Sequence, residues 1–190
     1  LQLLLLLAAL CQGLGPLAAQ EQDAESTPRA DAAATTGEVG GDAAAARTVQ
    51  RVYYDKEETA LHQVIPLLNG KPHGVETVYW PDGETVKATT TYRHGHVHGM
   101  AKTFRRDGSL ETRAKVVNDA IVRLWKYGKK GKLRFDVAYR NDKRHGPEKY
   151  YDENGTLRRV VPYRDGVKEG VQKEYFANGK LHRELPWHRG

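Results

Sequence analysis

From Thr48 onward, apolar and polar residues alternate in short runs with a period of two, and a glycine-containing break ends each run. Leu133, Phe135, Val137 and Tyr139 fall on one face of such a run. Leu157, Val161 and Tyr163 do the same with Arg159 between them, as do Leu181, Leu185 and Trp187 with Arg183 between. This is the pleat of a half-buried strand, whose successive side chains point to opposite faces. The breaks are regular. Gly83, Gly108, Gly131, Gly155 and Gly179 follow one another at steps of 25, 23, 24 and 24 residues. Asp82, Asp107, Asn154 and Asn178 precede four of them, with Lys130 before the fifth. Such pairs favour the positive φ of tight hairpin turns. Four residues before each glycine stands an aromatic: Tyr79, Phe104, Tyr127, Tyr151 and Tyr175. Tyr54 keeps the phase with Glu58 in the glycine's place, which marks a degenerate first copy.

The unit is therefore a β-hairpin repeated about six times at about 24 residues. After Gly83 and Gly108 the closing residue slips by one, to Tyr92 and Val117, and a β-bulge is expected to absorb the extra residue. A second glycine pair, Gly70/Gly74, Gly95/Gly99 and Gly166/Gly170, is read as the loop between copies. Gly146 keeps one member of the pair, and residues 119–123 lack both, so an irregular loop is expected there. Pro66, Pro162 and Pro186 each stand four residues before a glycine, near strand ends where a missing N–H is tolerated.

Gly-x-x-x-Gly, an aromatic pair, Asn-Gly, x-Leu and a closing aromatic together resemble the bacterial variant of the MORN repeat. The resemblance covers about residues 50–190 and is most specific in Asp142–Leu157 and Gly166–Leu181. It implies an all-β fold in which hairpins stack into one elongated, curved antiparallel sheet. Bacterial relatives often carry the label of toxin–antitoxin antitoxins. Eukaryotic ones are associated with membrane phospholipids and scaffolding.

The N-terminal part has a different pattern. Residues 1–19 combine a run of about nine apolar residues with Gly13, Gly15, Pro16 and Ala18-Ala19, the h-region and c-region of a signal peptide cleaved after Ala19. No initiator Met or basic n-region precedes it, so the sequence is expected to begin inside the leader. The run is too short to span a bilayer. Residues 20–46 are Ala-rich, acidic and free of aromatics, a disordered tether by composition. The repeat domain then occupies 47–190. Gly190 falls where another copy would open, so the chain either stops at a repeat boundary or continues.

Charge divides along the same boundary. Residues 1–46 hold six acids and one base, Arg29, a net −5. The chain's 30 bases and 24 acids then leave 29 and 18, or +11, for the rest. The single cysteine, Cys11, lies in the leader, so the mature protein has no thiol for a disulfide, nucleophile or thiolate metal site. Leu10 before it disfavours lipoprotein processing.

Candidate chemistry is sparse. Ser26 and Ser109 stand in no nucleophile-like context, and Asp82 and Asp107 occupy turn positions. His94, His96 and His98 form a tempting metal cluster. Gly95 and Gly99 place it in an inter-copy loop, however, and His73 and His145 fill the same slot as His98. No catalytic, cofactor-binding or metal-binding residues are assigned, and no enzyme activity or cofactor is expected. Lys126–Arg134 and Arg140–Arg144 are basic stretches among aromatics, and Tyr92, Tyr139, Tyr163 and Trp187 are expected to line one sheet face. The expected function is an exported scaffold, periplasmic, envelope-bound or secreted, for a protein or envelope partner. The alternatives are an antitoxin or immunity protein and a binder of anionic phospholipid or lipopolysaccharide. Nucleic acid is not expected as a partner, because the leader removes the protein from it.

Overall fold

The structure, a computed structural model, describes residues 46–188. The signal peptide, Cys11, Ser26 and the tether up to residue 45 lie outside the described residues, as do Arg189 and Gly190. All regular structure among the described residues is β. The strands are β1 (Arg47–Tyr53), β2 (Leu61–Leu68), β3 (Lys71–Pro72), β4 (Gly74–Tyr79), β5 (Val86–Arg93), β6 (His96–Phe104), β7 (Leu110–Val117), β8 (Ala120–Tyr127), β9 (Leu133–Arg140), β10 (Lys143–Arg144), β11 (Gly146–Tyr151), β12 (Leu157–Arg164), β13 (Val167–Lys168), β14 (Gly170–Tyr175) and β15 (Leu181–Trp187).

They form one open antiparallel sheet in the order β1-β2-β4-β5-β6-β7-β8-β9-β11-β12-β14-β15, with the two-residue strands β3, β10 and β13 pairing β2, β9 and β12. No crossover interrupts the path. Chain order is spatial order, as expected when each repeat contacts only its neighbours. At about 4.8 Å per strand step the path extends about 50 Å.

Both kinds of turn are built by the repeat, but the tight positive-φ hairpins lie where the loop between copies was expected. Asn69-Gly70, His94-Gly95, Asn118-Asp119, Asn141-Asp142 and Asp165-Gly166 all take positive φ at both residues. They close strands whose last and first residues pair directly, such as Arg93 with His96 and Arg164 with Val167. This double-positive geometry matches the twist of the flanking strands. The Asp-Gly and Asn-Gly pairs at 83, 108, 155 and 179 behave differently, with positive φ only at the glycine. There a four-residue turn is closed by the glycine N–H, as from Gly83 to the Trp80 carbonyl at 2.9 Å. The preceding Asp caps it instead: Asp82 Oδ1 accepts from the N–H groups of Glu84 and Thr85 at 3.0 and 2.8 Å. Those donors hold the Asp82 carboxyl below the usual carboxylate range. In the degenerate first copy, Glu58 takes the glycine's place at φ 58°, and Asp55 accepts from Thr59 and Ala60.

The third joint is not irregular. Asn118-Asp119 forms the same two-residue turn, and Val117 pairs Ala120 across it. Asn and Asp enter the left-handed region with little penalty, so the missing glycines cost the turn nothing. β8 is one continuous strand, as is β6, which runs through Gly99, whereas β3 and β4, β10 and β11, and β13 and β14 are separated at His73, His145 and Glu169.

The bulges expected at the slipped closing residues are present, at Thr90/Tyr92 and Lys115/Val116. Every copy carries another next to its four-residue turn, so that Tyr127 pairs Leu133 and Tyr151 pairs Leu157. This shift breaks the simple alternation expected to put Leu133, Leu157 and Leu181 in phase with the residues that follow. Pro66 and Pro162 lie inside strands, but their carbonyls accept from His73 and Glu169, which sit at the break between the short and long neighbouring strands. The missing proline N–H therefore faces an interruption in the ladder.

Candidate functional site

Directly opposed residues in an antiparallel sheet share a face, so the register sorts every side chain. Glu76, Thr90, Ala101, Ala114, Leu124 and Val137 are opposed in sequence across β4 to β9. All six are buried, from 0% exposed at Ala114 to 6% at Glu76. Val161, opposite Glu148, and Gln172, opposite Leu185, continue the buried face. The other face is open. Its central row is Arg51, Val64, Thr77, Thr89, Lys102, Arg113, Trp125, Asp136, Lys149, Val160, Lys173 and Glu184, each paired to the next across twelve strands. Only Asp136 in that row is buried.

The packed face holds the closing aromatics. Tyr92, Tyr163 and Trp187 lie opposite Gly74, Gly146 and Gly170. They are not free platforms. Arg144 lies over the Tyr163 ring at 4.2 Å and donates to its hydroxyl at 2.9 Å, while Tyr139 packs on the hydrophobic core. Lys168 lies over Trp187 at 4.3 Å, and the indole N–H donates to Gln172 Oε1 at 3.2 Å. The stripe expected from the sequence is present, and it is internal packing.

Within that face sits a buried carboxylate, Glu148, 2% exposed. Its Oε2 pairs Arg144 Nη1 at 3.2 Å, and its Oε1 accepts from the Tyr150 hydroxyl at 2.6 Å. Desolvation, with Glu148 beside it, pushes the Tyr150 hydroxyl up to about 12, and Arg159 lies over that ring at 4.0 Å. Glu76 holds the equivalent place, two residues after Gly74, and accepts from Gln63 Nε2. Burial, with Glu76 as a further cause, raises Tyr92 well above the usual phenol range. Both Glu148 oxygens are occupied, so this cluster ties β10, β11 and β12 together within one copy. The sequence signal was available: Glu76, Glu148 and Gln172 each follow a second glycine by two residues.

The histidines do not converge. His94 lies in its turn, and its N–H donates to His73 Nδ1 at 3.3 Å. His96 contacts Asp119 at 2.7 Å, and His98 contacts Asn118 at 3.1 Å, so each ties one loop to the next. Among the described residues no group of three or more His, Cys, Asp or Glu is arranged to hold a metal ion. Ser109 Oγ accepts from Arg105 Nη1 at 3.2 Å within its turn. The contiguous basic stretches are also dispersed: Arg140 pairs Asp165 at 2.9 Å, Arg134 pairs Glu153 at 3.9 Å, and Lys129, Lys130 and Lys132 surround a turn.

On the open face a different basic group assembles. Lys102 stands directly opposite Arg113, and Lys115 directly opposite Arg123. Arg113 and Arg123 lie over the Trp125 ring at 4.2 and 5.0 Å. Lys149 follows across Asp136, whose carboxylate is held by both Arg123 Nε and Nη2, at 2.8 and 2.7 Å. A shallow depression lined by Arg123, Asp136, Ala138, Pro147 and Lys149 adjoins it. Neither basic stretch read from the sequence contains any of these five cations.

An open sheet made of consecutive hairpins in chain order defines a β-hairpin repeat protein. The family model described as MORN repeat variant matches residues 144–165 and 168–188, and this part of the chain is built of MORN-variant repeats, which are generally binding modules. No curated protein matches the chain. Among solved structures, one titled "Crystal structure of GtfA/B complex bound to UDP and GlcNAc" aligns at 16% identity and a TM-score of 0.28. That alignment covers 60% of this chain and 22% of the other, so the chain spans less than a quarter of that protein's length.

Proposed function

We propose that this chain is a non-catalytic binding module, exported by the leader at residues 1–19, that receives a protein or cell-envelope partner along the open face of its sheet. The observation that carries this reading is the division of faces: one row is buried from Glu76 to Val137, while its neighbour is open across twelve strands. A single-layer sheet with one face uncovered offers a long, pre-formed surface whose ordering cost is already met. The closing aromatics are excluded from the contact, because Tyr163 is 8% exposed and its ring is covered by Arg144.

A photo-crosslinking residue at Val75, Lys115 or Val171, all exposed on the open face, is expected to trap a discrete partner in native cells. The same residue at Tyr92 or Trp187 is expected to trap none. Adducts confined to the Tyr92 and Trp187 positions would overturn the choice of face, and adducts from neither face would overturn the binding reading.

A further inference from the structure

We propose that the cationic group centred on Trp125 is a docking surface for a linear acidic polysaccharide. The proposal rests on the binding-module reading above and names the chemistry of the occupant. Its starting point is an unfavourable arrangement that the fold keeps. Like charges directly opposed across a strand pair destabilise a sheet. Here two such pairs, Lys102–Arg113 and Lys115–Arg123, stand side by side on β6, β7 and β8. Elsewhere on the sheet the charges are matched: Arg183 with Glu174 at 2.8 Å, Lys173 with Glu184 at 3.2 Å, and Arg164 with Glu169 at 3.4 Å, while Arg140, which stands opposite Lys143, is paired with Asp165 at 2.9 Å. Among the described residues no carboxylate lies within ion-pairing distance of Lys102, Arg113, Lys115 or Lys149. Asp136, the acid nearest the group, is already held by Arg123.

The guanidiniums are also set in place. Stacking on Trp125 fixes the planes of Arg113 and Arg123 while leaving fork hydrogens of Arg113 available, and a planar fork suits carboxylate and sulfate oxygens. Cross-strand neighbours lie about 5 Å apart, and the next row along a strand is about 7 Å away. The group from β6 to β11 therefore spans about 19 Å. An anion seated between opposed cations relieves their repulsion, and several in line relieve all of it, which calls for a polymer with charge on successive units.

The surroundings select among polyanions. The exposed large apolar residues, Val49, Tyr54, Val75, Val167, Val171, Phe176 and Leu181, all lie outside the group. The surface therefore has no side chain to insert into a bilayer, and the indole faces that would stack bases are occupied by arginines. A hydrophilic chain held by its charges alone fits what remains.

Isothermal titration of the full chain tests this with four probes: a heparin oligosaccharide, an oligogalacturonate, a single-stranded oligonucleotide of matched charge, and phosphatidylglycerol vesicles. The expected result is preferential binding of the oligosaccharides, weakening with salt. The Lys102→Gln/Lys115→Gln double variant is expected to bind at least tenfold more weakly, with a salt slope smaller by about two. It is also expected to melt at a higher temperature, because repulsion is removed. Lys173→Gln, which breaks a matched pair outside the group, should leave affinity unchanged. Unchanged affinity or a lower melting temperature in the double variant overturns the proposal. So does tighter binding of the oligonucleotide or the vesicles, or binding of none of the probes. If the probes fail while open-face crosslinks to a partner persist, this inference falls and the binding-module reading stands.

Discussion

Glu148→Ala is expected to lower stability by about 3 kcal/mol, at the low end of the range for breaking a buried ion pair. The carboxylate is 2% exposed, while Arg144 retains 42% of its side-chain exposure and recovers some solvation when its partner is lost. The Tyr150 hydroxyl, 2.6 Å from Glu148 Oε1, is left without that acceptor. Glu148→Gln keeps an acceptor of the same shape and is expected to cost about half as much. For comparison, Glu184→Ala removes a pair whose partners are 46% and 48% exposed, and its effect should lie within about 0.5 kcal/mol. Urea midpoints of the three variants check the ordering. A Glu148→Ala loss no larger than that of Glu184→Ala would show that the cluster does not brace β10, β11 and β12.

Leu124→Ala is expected to cost a similar amount, about 3 kcal/mol, by leaving a cavity in the one place where this thin fold has a continuous hydrophobic core. Leu124 is 1% exposed and packs in the cluster with Val97, Ala101, Ala114, Val116, Ile121 and Val137. Its direct cross-strand neighbours, Ala114 and Val137, are too short to fill the space. Because Arg123 and Trp125 flank Leu124 on the same strand, β8, loosening there is expected to show first in the open-face cationic group. Amide exchange of residues 120–127, measured beside global unfolding, separates this local loss from a uniform one.

Much of the fold was legible because the repeat imposes the same problem on each copy. The aromatics before each turn and the closing aromatics all sit where their phase put them, and the slipped closing positions Tyr92 and Val117 announced two of the bulges. What was misread has specific causes. The Asp-Gly dipeptide favours a tight hairpin turn, but loop length decides that geometry, and the four-residue turns need positive φ only at the glycine. The joint at Asn118-Asp119 was expected to be irregular because glycine was missing, although Asn and Asp satisfy the same dihedrals. The burial of Glu76 and Glu148 depends on the strand register, which sets both carboxylates on the packed face opposite Thr90 and Val161. The cationic group was invisible for a related reason. Lys102, Arg113, Lys115, Arg123 and Lys149 are scattered along the sequence, and only the register joins them.

The account depends most on the division of the sheet into a packed face and an open one, and thiol labelling of adjacent residues tests it directly. In a Cys11→Ser background, Ala114→Cys is compared with Lys115→Cys, and Gln172→Cys with Val171→Cys. Ala114 is 0% and Gln172 6% exposed, whereas Val171 is 44% exposed and Lys115 is open to solvent. The prediction is labelling of the Lys115 and Val171 positions at the rate of a free thiol, and of their neighbours only as the sheet unfolds. Equal labelling within each pair would contradict the two-faced sheet and the functional reading built on it.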